Sequence, residues 1–371
     1  MNLICFELKK TWQSRKTFSF ILLAFLLTTF LFFFNVYLGQ REDEQIKAQI
    51  GSKQSVMNQT EFNDTIKAFL EETNQGILDQ EEDFRTATDK GESLEGKLTL
   101  PTYPFYRQAL NEALLKRKLP PQSMRYGTNN SIFSAILLSY LASFFGIFLL
   151  LLLFGDSLSK EIEENNLSFI FSQPTRRTRV FFIKYGLALV QAILAVFVLL
   201  LFGFILASIL SGSSDLTYPV VVFTQRSMKF ISVIYYVGQV LALFVFVLAF
   251  CFALHFLLSV LLKKTNLTLV MTMFILLEGY AVSTLNNKFI QKVASLNPFT
   301  YLNVSKIFIG YDFRSFELFS IENQEYYANW CLPRTMHNGQ INSLNGIISL
   351  SIATIILLVL GCFCFKKNRQ Y

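Results

Sequence analysis

The sequence predicts an all-α integral membrane protein: six transmembrane helices, an N-terminal amphipathic elbow helix, and a mostly helical extracellular domain between the first and second helices. Three observations carry this. Of the 371 residues, 52% are hydrophobic and only 16% charged, where soluble domains carry about a quarter. The apolar residues gather in runs of about 19 or more, enough helix to cross roughly 30 Å of hydrocarbon. Lys and Arg flank those runs on one side, the pattern that orients membrane helices. The net charge of +7 is therefore a topology signal and not a footprint for nucleic acid. Four cysteines (Cys5, Cys251, Cys362, Cys364) fall in or near the membrane or its inner side and Cys331 alone lies outside, so no disulfide framework is expected. Only His255 and His337 are available for histidine chemistry.

Residues 1–16 interleave Leu3, Phe6, Leu8 and Trp12 with Lys9, Lys10, Arg15 and Lys16, which predicts a cytoplasmic elbow helix lying on the membrane surface. The first span, 17–38, is longer than the apolar region of a signal peptide and lacks a cleavage site, so it is read as an uncleaved anchor. Residues 39–131 are polar. Phe62, Ile66, Phe69 and Leu70, then Ala109, Leu110 and Leu114, have helical spacing, separated by a stretch with Gly91, Gly96, Pro101 and Pro104. A small extracellular helical domain with a thin core is expected there.

The second span is 132–154, followed by a cytoplasmic loop, 155–179, and the third span, 180–210. A short polar loop, 211–229, leads to a fourth span, 231–262, whose excess length implies tilt or an interfacial first part. The fifth span is 265–284, an extracellular or re-entrant segment covers 285–345, the sixth span is 346–365, and 366–371 is a cytoplasmic tail. Orientation follows from Lys and Arg in the short loops. Lys9, Lys10, Arg15 and Lys16, then Lys160, Arg176, Arg177, Arg179 and Lys184, then Lys263 and Lys264, and finally Lys366, Lys367 and Arg369 share one side. The opposite short loop has only Arg226 and Lys229, so both termini are expected in the cytoplasm, beneath the plasma membrane of a bacterium.

Several motifs are absent: no phosphate loop of the GxxxxGK[ST] type, no HExxH, no GxSxG and no CxxC. The spans also lack a nucleophile–base pair or carboxylate dyad, so a catalytically silent chain is expected. Within the spans the ionisable residues are Glu278 and His255. Glu278 lies about thirteen residues into the fifth span, roughly 20 Å from its inner end. Burying a carboxylate in hydrocarbon costs a few kcal/mol or more, so Glu278 should face a cavity or another helix. It either lines a pathway or packs against a neighbour through a hydrogen bond. His255 is read as a neutral, satisfied histidine, with a proton relay as the alternative, and Gln191 and Gln239 as links between helices.

The strongest local signal is the loop. Glu161, Glu163 and Glu164 precede an amphipathic turn exposing Leu167, Ile170 and Phe171; Pro174 stops it, and Arg176 and Arg177 lead into the next span. A plain solvated loop would expose three large apolar side chains for nothing. A short helix offering an apolar knob rimmed by carboxylates to a cytosolic partner explains both features.

In layout the whole chain resembles the permease subunit of an ATP-binding-cassette transporter of the type-2 exporter family. Glu163, Glu164, Leu167, Ser172, Pro174, Arg176, Arg177 and Lys184 match that family's loop, and Asn297-Pro298-Phe299-Thr300-Tyr301 matches its Pro-x-Thr-Tyr turn. The usual Gly-Thr after the acidic pair is Asn165-Asn166 here. The resemblance implies two cytosolic ATPase subunits as partners, a second permease copy or sibling permease, and surrounding lipid. It also implies that this chain binds no cofactor, ATP and Mg being held by the ATPases. The loop would then be the coupling helix, with Glu161, Glu163, Glu164, Leu167, Ile170, Phe171, Pro174, Arg176 and Arg177 contacting the ATPase. Few charges in the spans favour an amphipathic or hydrophobic cargo: an antimicrobial peptide, a drug or a lipid-like molecule. The alternatives are a membrane sensor or scaffold signalling through the same loop, an exporter of ions such as sodium, and, least supported by its residues, an intramembrane enzyme.

Overall fold

A computed structural model describes residues 15–50, 67–68, 71, 75, 102–119, 126–166, 176–213, 215–223, 228–285, 287–308 and 332–367. All but the last two residues of the predicted elbow lie outside these, as does most of the segment between the first two spans. The first helix, α1 (Arg15–Ile50), carries its apolar span over Ser19–Gln40 and runs on past it. Helix α2 (Thr102–Arg117) is the second of the two helices expected between the first two spans.

The second span departs from expectation. It is two helices, α3 (Asn130–Leu141) and α4 (Phe144–Phe154), bent by 68°. Ser143 causes the break locally. Its backbone is extended, its hydroxyl donates to the Tyr140 carbonyl at 2.6 Å, and the same oxygen accepts from the Gly146 N–H at 3.3 Å. Gly146 is required by the bend: a Cβ there would lie 2.0 Å from the Leu141 carbonyl oxygen. After one residue, Gly155, comes α5 (Asp156–Glu163), and then α6 (Arg177–Leu210). Asn130 donates to Ser208 near the end of α6, and Glu161 pairs with Lys184 near its start. Those points are about 36 Å apart along α6, so α3, α4 and α5 together run that length, and the bent pair has the form of a broken span or a re-entrant loop. Counted as one span, it brings the total to six.

The loop expected at 211–229 folds as an antiparallel hairpin, β1 (Pro219–Phe223) with β2 (Met228–Ser232), Val221 opposite Phe230. The polar loop expected there is thus a small hairpin beside an otherwise helical membrane fold. Consecutive β-branched Val220, Val221 and Val222 favour strand, and β2 takes the first residues assigned to the fourth span. That span is α7 (Val233–Leu262), ended by Lys263 in the left-handed region at φ 58°. The fifth is α8 (Thr265–Ser283). Beyond it come α9 (Lys288–Val293), a 3₁₀ turn at Pro298–Tyr301, α10 (Ser305–Phe308) and α11 (Leu332–Thr335). Asn297 caps the 3₁₀ turn by accepting from the Phe299 N–H at 3.1 Å, and Tyr301 is buried beneath it, its hydroxyl donating to the Ser295 carbonyl. The sixth span is α12 (Ser343–Lys367).

Helix α7 is the hub, packing against α3, α5, α6, α8 and α12. The other spans bury one stripe and expose another: Val190, Leu194, Phe197, Leu201, Ile205 and Ile209 follow one face of α6 at helical spacing. Such faces suit lipid or another membrane subunit. Phe181 of α6 packs on Phe365 of α12, so Lys160, Arg176, Arg177, Arg179, Lys263, Lys264, Lys366 and Lys367 gather at one end of the bundle. At the other end, α2 packs on β1, the Arg117 guanidinium donates to the Thr217 carbonyl, and Tyr236 meets Phe308 edge to face.

Candidate functional site

The basic end holds the residues singled out from the sequence, and α5 organises them. It packs against α6, α7 and α8 together. Leu158, Glu161 and Ile162 form its buried face, while Lys160, Glu163 and Glu164 are exposed. The chain can seat α5 so closely because residue 155 is glycine. A Cβ there would stand 2.4 Å from the Leu151 carbonyl oxygen and 3.0 Å from the His255 ring.

Glu161 points inward, not toward a partner. Its carboxylate lies 2.8 Å from the Lys184 ammonium, with side-chain exposures of 3% and 0%. Placing it on a solvent-facing rim is therefore corrected: i to i+3 and i+4 spacing puts it in phase with Leu158 and Ile162. Lys184 lies two turns into α6, among buried Val180, Phe181, Tyr185 and Ala188. Each side chain is the other's counter-charge in a place withdrawn from water.

Glu163 reaches a third helix. Its carboxylate accepts the Thr265 backbone N–H at 2.9 Å, at the N-terminus of α8. The N-cap position of that helix is Lys264, whose side chain has no acceptor and makes no cap bond. Glu163 supplies the missing cap from α5, and its negative charge complements the helix dipole. The Thr265 N–H, helped by the Lys264 charge, holds the Glu163 carboxyl below its ordinary pKa.

Helix α5 ends at Glu164 in a Schellman turn. Asn165 takes φ 56°, its N–H bonds the Ile162 carbonyl, and the Asn166 N–H bonds the Glu161 carbonyl. This accounts for asparagine where the resembled family has glycine, because both tolerate the left-handed region. Lys160 and Glu164 form an exposed pair at 3.9 Å, and Asn166 donates to Glu164 at 2.8 Å. Leu167, Ile170, Phe171 and Pro174 lie outside the described residues. Arg176, exposed, and Arg177, half-buried, open α6.

Higher in the bundle, His255 Nδ1 and Thr272 Oγ1 are 3.0 Å apart, fully buried between α7 and α8. Its Nε2, equally buried, has no hydrogen-bond partner among the described residues, so the histidine expected to be satisfied is satisfied at one ring nitrogen only. Glu278 faces outward from the chain, continuing the exposed face of Val270, Phe274 and Leu277 on α8. Among the described residues it meets neither the cavity nor the neighbouring helix expected for it.

Sequence reasoning missed the Glu161–Lys184 pairing and the Glu163 cap, although the phase of Lys184 with the buried face of α6 was a usable signal. Chemically, the site is a junction: one short helix pinned to three spans, leading straight into the apolar loop. Among the described residues no group of three or more His, Cys, Asp or Glu could hold a metal ion. A family model described as "ABC-2 family transporter protein" matches residues 1–369. No curated protein and no solved structure matches.

Proposed function

The chain belongs to the ABC-2 transporter family, as a permease subunit of an ABC transporter, and from that premise we propose that it is the membrane half of an ATP-driven exporter. Energy comes from two cytosolic ATPase subunits, which hold ATP and Mg, and this chain performs no chemistry of its own. The basic end faces the cytoplasm, as the positive-inside rule requires. Residues 167–175 form the docking knob, with Leu167, Ile170 and Phe171 as anchor and Glu164, Arg176 and Arg177 at its edge. The observation that carries this reading is α5: a short helix held to three spans at once and continuing directly into the apolar loop. A push on that loop is delivered to the bundle and not dissipated in a flexible connection.

Glu278 supports a second permease. A carboxylate left facing acyl chains costs a few kcal/mol, and a second permease packed against α8 would convert that face into a shared polar route. An apolar bundle with so few intramembrane charges suits an amphipathic or hydrophobic cargo moving outward.

The test is affinity purification of the tagged chain from its native membranes. Copurification of a Walker-motif ATPase, and loss of ATP turnover in Phe171→Asp or Leu167→Asp with membrane insertion intact, are the expected outcomes. A kinase in its place would indicate a sensor, and ATP hydrolysis by the purified chain alone would overturn the assignment.

A further inference from the structure

Two carboxylates, two residues apart on α5, bind two different spans, and their surroundings are opposite. The Glu161–Lys184 pair is sealed, with 3% and 0% side-chain exposure. Separating it strands two charges away from water, so α5 and the start of α6 move as one piece. The Glu163 contact with the Thr265 N–H is at the surface, where water can replace either partner. It forms and breaks at little cost.

Seven residues further along α8, Thr272 is held by His255 in the buried interior. Thr268, Thr272 and Leu276 make the buried stripe by which α8 leans on the bundle. Helix α8 is thus held firmly near its middle and lightly at its basic end, and Glu278 lies on the far side of the firm contact. The light contact is also the one nearest in sequence to the apolar residues 167–175. Glu163 is the last residue of α5, and the Schellman turn at Asn165 and Asn166 immediately precedes residues 167–175 in sequence.

We propose that Glu163 is a releasable latch on the fifth span, while the buried Glu161–Lys184 pair is a permanent anchor to the third. Displacement of the docked loop withdraws Glu163 from Thr265, the basic end of α8 swings about the His255–Thr272 contact, and the opposite half carrying Glu278 moves the other way. Glu163 and Lys184 are thus positioning residues for transport; neither touches cargo. This rests on the permease reading above.

The experiment uses the complete permease–ATPase complex in lipid nanodiscs, in a background with its five native cysteines replaced. Glu163→Cys and Thr265→Cys are joined by a short bifunctional thiol reagent, with Ser139→Cys and Ser305→Cys, whose hydroxyls are 3.2 Å apart at the other end, as the reference pair. The latch pair should cross-link readily without nucleotide and about tenfold less after trapping with ATP and vanadate, the reference pair equally in both. Equal yields at 163–265 in the two states overturn the latch while leaving the permease reading standing. If no ATPase associates even with the unaltered chain, the permease reading fails and the latch with it. Should the cysteine pair prevent assembly, Glu163→Ala alone decides. A released latch raises ATP turnover without cargo, and turnover equal to that of the unaltered complex overturns the proposal.

Discussion

At the end of α5 the backbone must pass through φ 56°, where an L side chain is crowded by its own carbonyl. Asparagine tolerates this and glycine tolerates it better, so Asn165→Gly should leave the melting temperature of the detergent-purified chain nearly unchanged. Asn165→Val, branched at Cβ, should cost about 1–2 kcal/mol. Equal melting of the two variants would remove the Schellman turn from the account. Four residues earlier, at Glu161, the issue is charge. Lys184→Met leaves the Glu161 carboxylate buried without its cation and should destabilise by about 3–5 kcal/mol, whereas Glu161→Leu combined with Lys184→Met should recover most of that. Glu163 differs because it titrates at the surface. Its pKa in the folded chain lies below the ordinary 4.5, so its stabilising contribution is complete above 4.5 and vanishes as pH falls through the lower, folded value. The melting difference between the natural chain and Glu163→Gln should accordingly persist from pH 7 to pH 5 and close only in stronger acid. A difference already gone at pH 5 would refute the cap on Thr265.

Among the elements, those visible beforehand were the ones declared by length. A run of about 20 apolar residues has one inexpensive fate in a bilayer, so the long apolar helices were readable: five pass as single spans, and the bent pair makes a sixth when counted as one. Direction is another matter. Hydropathy is blind to a 68° bend, because Ser139, Ser143 and Gly146 barely dilute the apolar run that contains them. The hairpin was hidden for the opposite reason: Val220 to Val222 and Phe230 to Ile231 are as apolar as span residues, and the strand signal is local β-branching. Glu161 was misplaced because a charge run reads as solvated unless its partner, in another element, is known. The bend can be tested at Gly146. Alanine there places a Cβ against the Leu141 carbonyl, so Gly146→Ala must open the α3–α4 joint, and overpacking of this kind costs about 1–3 kcal/mol. An unchanged melting temperature and an unchanged Asn130–Ser208 contact would mean that the joint is not fixed by that glycine.

For the whole molecule, the decisive asymmetry is between what the bundle hides and what it leaves bare. Helix α7 is enclosed by α3, α4, α5, α6, α8 and α12, and its buried residues include Phe244, Phe250, Phe252, Phe256 and His255. Helix α8, by contrast, turns Val270, Phe274, Leu277 and Glu278 outward. Three of those four suit lipid. The fourth does not, since a carboxylate about 20 Å along an 18- or 19-residue span would have to reach headgroups or find another protein surface. Purely apolar faces such as that of α6 make no such demand. If a second permease covers α8, Phe274→Cys should give a cross-linked permease pair in native membranes, and Ile205→Cys, on the α6 face, should not. Glu278→Gln should then keep the pair assembled, because a neutral amide still hydrogen-bonds across the interface, yet slow ATP-dependent export wherever a charge is needed to keep the route hydrated. Cross-linking equally strong at both positions would mean that α8 is not the covered face, and pairs lost on neutralising Glu278 would show that this carboxylate holds the subunits together and does not line a route between them.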